Sequence, residues 1–123
     1  MKPQKFSVRK RLLSFGFAFN GVKIFFYREH NAWIHAAAAL LAAAAGWRFN
    51  ITALEWIAVL VAIALVWIAE LANTAIEKIM DHLSPARHPA VKEIKDLAAG
   101  GVLIAACIAC LIGCIIFIPQ ILR

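Results

Sequence analysis

The sequence predicts an all-α integral membrane protein in which three transmembrane helices and an N-terminal amphipathic surface helix form one domain, residues 1–123. Of the 123 residues, 63% are hydrophobic and only 16% are charged, a balance typical of polytopic membrane proteins. Three apolar segments qualify as spans of a hydrocarbon core about 30 Å thick, which requires roughly 20 helical residues. Because backbone groups in lipid must bond internally, we expect each segment to be a helix.

The first element is the predicted surface helix, residues 5–27. Apolar side chains recur every three or four positions, which places them on one helical face: Leu12, Phe15, Phe19, Val22 and Phe26. Basic residues, among them Lys5, Arg9 and Lys10, precede or flank this face. Basic, aromatic helices of this kind lie among anionic lipid head groups. A signal peptide is the alternative, but a compact apolar core leading to a small-residue cleavage site is not seen.

The predicted membrane helices follow at residues 31–47, 54–81 and 97–119. The first is short and rich in Ala, the second crosses only if Glu70 lies within or at the edge of the membrane, and the third carries no charge. Small residues recur every fourth position in the third helix, a pattern that lets membrane helices approach closely: Gly101, Ala105, Ala109 and Gly113. A bundle this small has little interior of its own, so we expect it to oligomerise.

The distribution of Lys and Arg predicts the orientation. Seven of the 13 precede the first span, one lies in the first loop, four lie in the last turn of the second span or between it and the third, and Arg123 ends the chain. By the positive-inside rule, the N-terminus and the second loop face the cytoplasm. The net charge of +6 therefore indicates contact with membrane lipids, and we expect no nucleic-acid partner because the basic residues follow the topology.

Four polar residues share one face at the end of the second span: Glu70, Asn73, Glu77 and Asp81. At about 100° per residue, they fall within a stripe about 80° wide. A helix end emerging into water is the ordinary explanation, and it suits Asp81 best. This explanation suits Glu70 and Asn73 less well, because they lie further upstream. A buried carboxylate such as that of Glu70 is costly unless it is neutralised or paired, so the stripe predicts a functional site.

Two kinds of partner suit this stripe. Mg²⁺ prefers carboxylate oxygens and is commonly held by one or two carboxylates plus substrate phosphates. The second kind of partner is basic: Lys95 lies beside Asp96 at the cytoplasmic end of the third span. Glu29, at the start of the first span, adds another acid that we expect at the same cytoplasmic level. Such a set favours Mg²⁺ and polyphosphate chemistry. Intramembrane acids also occur in proton-coupled carriers, so a small oligomeric transporter is the alternative function, and a catalytically silent assembly protein is a third.

The string "ELANTAIEKIMD" resembles the E-x-x-N-[ST]-A-I-E-x-x-x-D motif of the prokaryotic diacylglycerol kinase family. "KDLAAGGVLIAA" is similar to the segment that opens the family's third membrane helix, and "NGVKIFFYREHNAWIH" also fits. The resemblance implies a homotrimer in the bacterial cytoplasmic membrane that transfers the γ-phosphate of MgATP to a lipid hydroxyl. A Gly-rich P-loop is then not expected.

The resemblance also implies residue roles. Glu70 corresponds to the general base and Asn73 to the polar residue that orients it. Glu77 and Glu29 correspond to metal-binding acids that also contact the nucleotide. The remaining nucleotide-side positions are Asp81, Lys95, Asp96 and an N-terminal basic residue, taken as Lys10. These roles suit phosphoryl transfer, which requires a protein mainly to position groups and neutralise charge.

The lipid substrate is left open between undecaprenol and diacylglycerol. Glu29, Asn31, Ile34 and His35, with "LSPARHP" and "AAGGVLIAA", look more like the branch that phosphorylates undecaprenol. The diacylglycerol branch typically has an acid at the position of His35. His35 fits equally well as a polar group satisfied within the bundle.

Overall fold

The computed structural model describes residues 1–123 and contains four α-helices and no strand. Helix α1 spans Val8–Arg28, α2 spans His30–Phe49, α3 spans Ala53–Leu83 and α4 spans Pro89–Ile121. The all-α prediction is confirmed. Helix α1 corresponds to the predicted surface helix, and α2 to α4 correspond to the three predicted membrane helices.

Local capping explains where the helices begin. Ser7 caps α1, and Thr52 and Glu55 form a reciprocal capping box at the start of α3. Helix α4 begins at Pro89, upstream of the predicted Leu97, because Pro suits the first turn of a helix and His88 Nδ1 accepts from the N–H of Ala90. The charged first turns of α4 therefore extend the helix beyond its apolar segment.

Glu29 separates α1 from α2. Its backbone is extended (φ −110°, ψ 117°), so the chain turns there between the two helices. The Glu29 side chain makes no capping hydrogen bond to α2. The break leaves this half-buried carboxylate at the junction of the two helices.

Helices α3 and α4 are long and apolar enough to cross a membrane, and α2 does not meet the same test. Helix α2 has 20 residues, but many of them are Ala, which contributes little apolar surface. At 1.5 Å per residue, α3 and α4 are each about 45 to 50 Å long, more than the hydrocarbon core of about 30 Å. Their polar ends can therefore extend beyond the lipid.

The interior of one chain is small. Only 11 of 123 residues are buried, and many large apolar side chains are exposed on all four helices. Helices α3 and α4 form the most extensive pair, and α2 packs against both. Phe25 and Phe26 of α1 pack against Trp67 of α3, with ring centroids 6.2 and 5.1 Å away. This contact fixes α1 next to the turn of α3 that carries Glu70.

Candidate active site

Glu70 lies on the buried face of α3. The buried residues of this helix recur every three or four positions: Val59, Ala62, Val66, Glu70 and Thr74. Glu70 is the only charged member of this face and is 4% exposed. Because burying a carboxylate without a partner is costly, the residues around it decide whether it is tolerated.

The carboxylate of Glu70 is paired with a side chain from another helix. His35 Nε2, on α2, lies 2.8 Å from Glu70 Oε1, and both side chains are largely buried. This is the only protein hydrogen bond to the Glu70 carboxylate within the chain. The sequence marked His35 as either a satisfied core group or a functional one, and it did not predict this pairing. The spacing of residues along a helix relates residues of that helix only. It therefore cannot predict a contact between residue 35 on α2 and residue 70 on α3.

One turn further along α3, Asn73 and Glu77 are joined. Asn73 Nδ2 donates to Glu77 Oε1 at 3.3 Å, an i,i+4 contact along the polar stripe. The other end of the carboxamide, Asn73 Oδ1, is buried and has no hydrogen-bond partner. Buried acceptors are nearly always satisfied, so this oxygen is available to a bound group.

The stripe ends in a polar pocket between α3 and α4. Lys95 of α4 donates to Asp81 of α3, and Lys92 pairs with Asp96 along α4. These groups line a cavity of about 610 Å³ together with residues of the loop between the helices, including Arg87 and His88. The structure therefore brings together Asp81, Lys95 and Asp96, three of the residues predicted for the nucleotide side.

Two predicted residues belong neither to the polar stripe of α3 nor to this pocket. Glu29 is at the junction of α1 and α2, and Lys10 is exposed in the first turn of α1, where its side chain forms no ion pair. No group of three or more His, Cys, Asp and Glu side chains in the chain is arranged to hold a metal ion. One chain therefore brings together only part of the predicted set.

His35 also lines an apolar cavity. This cavity has a volume of about 270 Å³ and is lined by small and branched side chains of α2, α3 and α4, with Trp67 and His35 at one end. Ligand pockets commonly combine apolar walls with a few polar groups. His35 thus faces both this apolar space and the carboxylate of Glu70.

These features define a helical membrane protein with a buried carboxylate that lies beside an apolar cavity and at one end of a line of polar groups. The family model described as prokaryotic diacylglycerol kinase matches residues 16–117. The chain therefore belongs to the prokaryotic diacylglycerol kinase family.

Individual relatives agree with this assignment. The chain is 39% identical over 93 residues to a Bacillus subtilis protein named undecaprenol kinase, covering 76% of each chain. It is 33% identical over 112 residues to a Synechocystis protein named diacylglycerol kinase, covering 90% of this chain and 64% of the relative. The Escherichia coli K12 diacylglycerol kinase is 27% identical over 101 residues, covering 82% and 83%. These matches support the prediction of a lipid kinase and give no support to the transporter alternative.

Proposed function

We propose that this protein transfers the γ-phosphate of ATP to the hydroxyl of an undecaprenol-type lipid alcohol. The observation that carries this proposal is the buried, hydrogen-bonded Glu70 carboxylate between an apolar cavity and a line of polar groups. The 39% identity to a Bacillus subtilis protein named undecaprenol kinase supports undecaprenol over diacylglycerol as the substrate of this chain. The apolar cavity suits only the part of the hydrocarbon chain next to the hydroxyl, because its volume of about 270 Å³ is just below the range of roughly 300 to 1,000 Å³ that is usual for ligand pockets.

Glu70 is the proposed general base. Its carboxylate accepts the proton of the lipid hydroxyl while the hydroxyl oxygen forms a bond to the γ-phosphorus. The bond from that phosphorus to the oxygen bridging the β- and γ-phosphates breaks, and ADP leaves. A general base must lie within hydrogen-bond reach of the proton that it takes, which requires the hydroxyl next to Glu70.

The nucleotide is proposed to lie along the polar stripe. In the pocket, Arg87, Lys92 and Lys95 supply hydrogen-bond donors, and Asp81 and Asp96 supply acceptors, for polar groups of the base and ribose. Asp81 lies about 16 Å along the α3 axis from Glu70. An extended nucleotide with its base or ribose near this pocket directs its γ-phosphate towards Glu70, and Lys10 of α1 is proposed to approach the phosphates.

Mg²⁺ is proposed to be held by Glu77 and Glu29 together with phosphate oxygens. The donor set fits: Glu77 is a half-buried carboxylate, and the unpartnered Asn73 Oδ1 beside it is a second hard oxygen. Two protein carboxylates suffice for Mg²⁺ when a nucleotide supplies other ligands. Held there, the ion would supply positive charge to neutralise the transferring phosphate.

The assembly is proposed to be a homotrimer of single-domain chains, residues 1–123, in the bacterial cytoplasmic membrane. Helices α2, α3 and α4 cross the bilayer, α1 lies on its cytoplasmic surface, and the N-terminus is cytoplasmic. The exposed apolar side chains on every helix support burial against lipid and other chains. The shortfall of apolar surface on α2 is consistent with a span that packs against neighbours.

The test is phosphorylation of defined lipids by the purified protein. Radiolabelled ATP is supplied with Mg²⁺ and detergent micelles that contain undecaprenol, diacylglycerol or no added lipid. We expect labelled undecaprenyl phosphate to form faster than labelled phosphatidate. Faster labelling of diacylglycerol would reverse the assignment of the lipid, and no labelled lipid of either kind would refute the kinase.

A further inference from the structure

We propose that His35 is a positioning residue for the general base, holding one oxygen of Glu70 so that the other faces the lipid hydroxyl. This inference rests on the proposed function, since it gives Glu70 the role of base. His35 is thereby added to the site, and the two oxygens of the Glu70 carboxylate have different roles: one accepts from His35 and the other faces the substrate. The sequence alone placed His35 only as a marker of the lipid branch or a core group.

The direction of the hydrogen bond follows from the chemistry of the pair. An ionised carboxylate has acceptors only, so His35 Nε2 must carry the hydrogen in the contact at 2.8 Å. This holds whether the ring is neutral or cationic. Glu70 Oε1 is thereby engaged, and Oε2 has no hydrogen-bond partner within the chain. Oε2 is therefore the atom left to accept the substrate proton.

Burial makes this single contact important. Glu70 is 4% exposed, so little water is available to solvate or orient its carboxylate. The next polar side chain along the stripe, Asn73, donates to Glu77 and not to Glu70. Without His35 the Glu70 side chain would lose its only protein hydrogen bond, and its rotation would be restrained by packing alone. Misplacement of a catalytic group by about 1 Å can reduce a rate about 100-fold.

The location of His35 connects this role to the substrate. The ring lies on α2 at the end of the apolar cavity, while Glu70 extends from α3. A lipid chain in that cavity would place its hydroxyl beside the His35–Glu70 pair. The same hydrogen bond also joins α2 to α3, so a purely structural role for His35 is the alternative that an experiment must separate.

Three substitutions distinguish positioning from structure. In His35→Gln, the amide nitrogen reaches nearly the same point as Nε2 and can still donate to Glu70. In His35→Asn the amide falls short of that point, and in His35→Leu the donor is lost. His82→Leu, at an exposed position of α3 outside the polar pocket, is the matched control.

The measurements are kcat, the KM values for undecaprenol and MgATP, and thermal unfolding of each purified variant. We expect kcat to fall about 10- to 100-fold in His35→Leu and His35→Asn, with smaller changes in either KM, and to recover in His35→Gln. His82→Leu should match the wild type. Wild-type kcat in His35→Leu, or equal kcat in the Gln and Asn variants, would overturn the positioning role.

A second variant pair keeps this inference separate from the proposed function. In a Glu70→Gln background, His35→Leu should cause little further loss of kcat, because the group that it positions is already absent. A full additional loss would show that His35 acts independently of Glu70 and would overturn the inference. If the wild type itself phosphorylates no lipid, the proposed function fails; if only Glu70→Gln is inactive and His35→Leu is normal, the inference alone fails.

Discussion

Glu70 shows what spacing along one helix can predict and what it cannot. Its alignment with Asn73 and Glu77 predicted a shared face, and the structure places Glu70 on the buried face of α3 with Asn73 bonded to Glu77. The partner of Glu70 is His35 on a different helix, and periodicity carries no information about packing between helices. The sequence therefore predicted the stripe and not the pair that makes burial of Glu70 tolerable.

The Glu77 carboxylate gives the first prediction. In Glu77→Gln, the amide keeps one oxygen but loses the charge that a hard cation prefers, so we expect affinity for Mg²⁺ and MgATP to fall at least about tenfold. Calorimetric titration with nucleotide at several Mg²⁺ concentrations measures this. Glu93→Gln, an exposed acid on α4, is the control and should bind normally. Unchanged MgATP affinity in Glu77→Gln would contradict the proposed metal role.

Among the elements, α4 departs most from its predicted bounds. The predicted span began at Leu97, where charge disappears, but the helix begins at Pro89. Composition identified the part that suits lipid, whereas capping by His88 and the fixed φ of Pro89 determine where helical geometry starts. The additional turns carry Lys92, Lys95 and Asp96, so this extension builds one wall of the polar pocket.

The contact between α2 and α3 at Gly46 gives the second prediction. A Cβ atom at this position would lie 2.7 Å from Trp56 Cη2 and 3.0 Å from Ile51 Cδ1. We expect Gly46→Ala to cost about 1 to 3 kcal/mol through overpacking, partly offset by the better helix propensity of Ala. Thermal unfolding in detergent measures the change.

Two further variants control for this effect. Gly21→Ala in α1 meets open space, so its melting temperature should stay the same or rise. Adding Trp56→Leu to Gly46→Ala should recover part of the loss by removing the large ring. An unchanged melting temperature in Gly46→Ala alone would show that the ring moves aside freely.

The small-residue ridge of α4 gives the third prediction, because the structure separates two of its members. Ala105 is 3% exposed, whereas a Cβ at Gly101 meets nothing within 4 Å in the chain. Ala105→Leu should lower stability by about 1 to 3 kcal/mol by overpacking the chain's own interior. Gly101→Leu should leave that interior unchanged and lower only the stability of the proposed oligomer, in which we expect the ridge to contact another chain.

Thermal unfolding and cross-linking of both variants in detergent test this distinction. A melting temperature for Ala105→Leu equal to that of the wild type would contradict its packed position. Loss of folded protein in Gly101→Leu without a change in the fraction of oligomer would contradict an interface at that position.

At the scale of the whole molecule, the main feature is the large apolar surface that one chain exposes. With 11 of 123 residues buried, a single copy leaves most of its apolar surface to be covered by lipid or other copies. Composition predicted the membrane class because that class is set by the total apolar content. It did not determine the packing between chains, because that packing depends on side-chain fit at surfaces that one chain leaves exposed.

Topology gives the fourth prediction. The excess of Lys and Arg before α2 and around the loop between α3 and α4 predicts that both lie on the cytoplasmic side. A single Cys introduced at Arg87 should react with an impermeant reagent only from the cytoplasm, and one at Asn50 only from outside. The background replaces Cys107, Cys110 and Cys114. The reverse labelling pattern would place the polar pocket on the side without ATP.

The most direct measurement is lipid phosphorylation by the Glu70→Gln protein, with its stability and nucleotide affinity determined on the same sample. Glutamine preserves size but cannot serve as the base, so we expect turnover to fall at least about 100-fold while folding and MgATP affinity stay near wild type. Glu55→Gln is the matched control on α3, because glutamine preserves the capping box and should leave turnover unchanged. A folded Glu70→Gln protein that phosphorylates undecaprenol at the wild-type rate would contradict the assignment of Glu70 as the base.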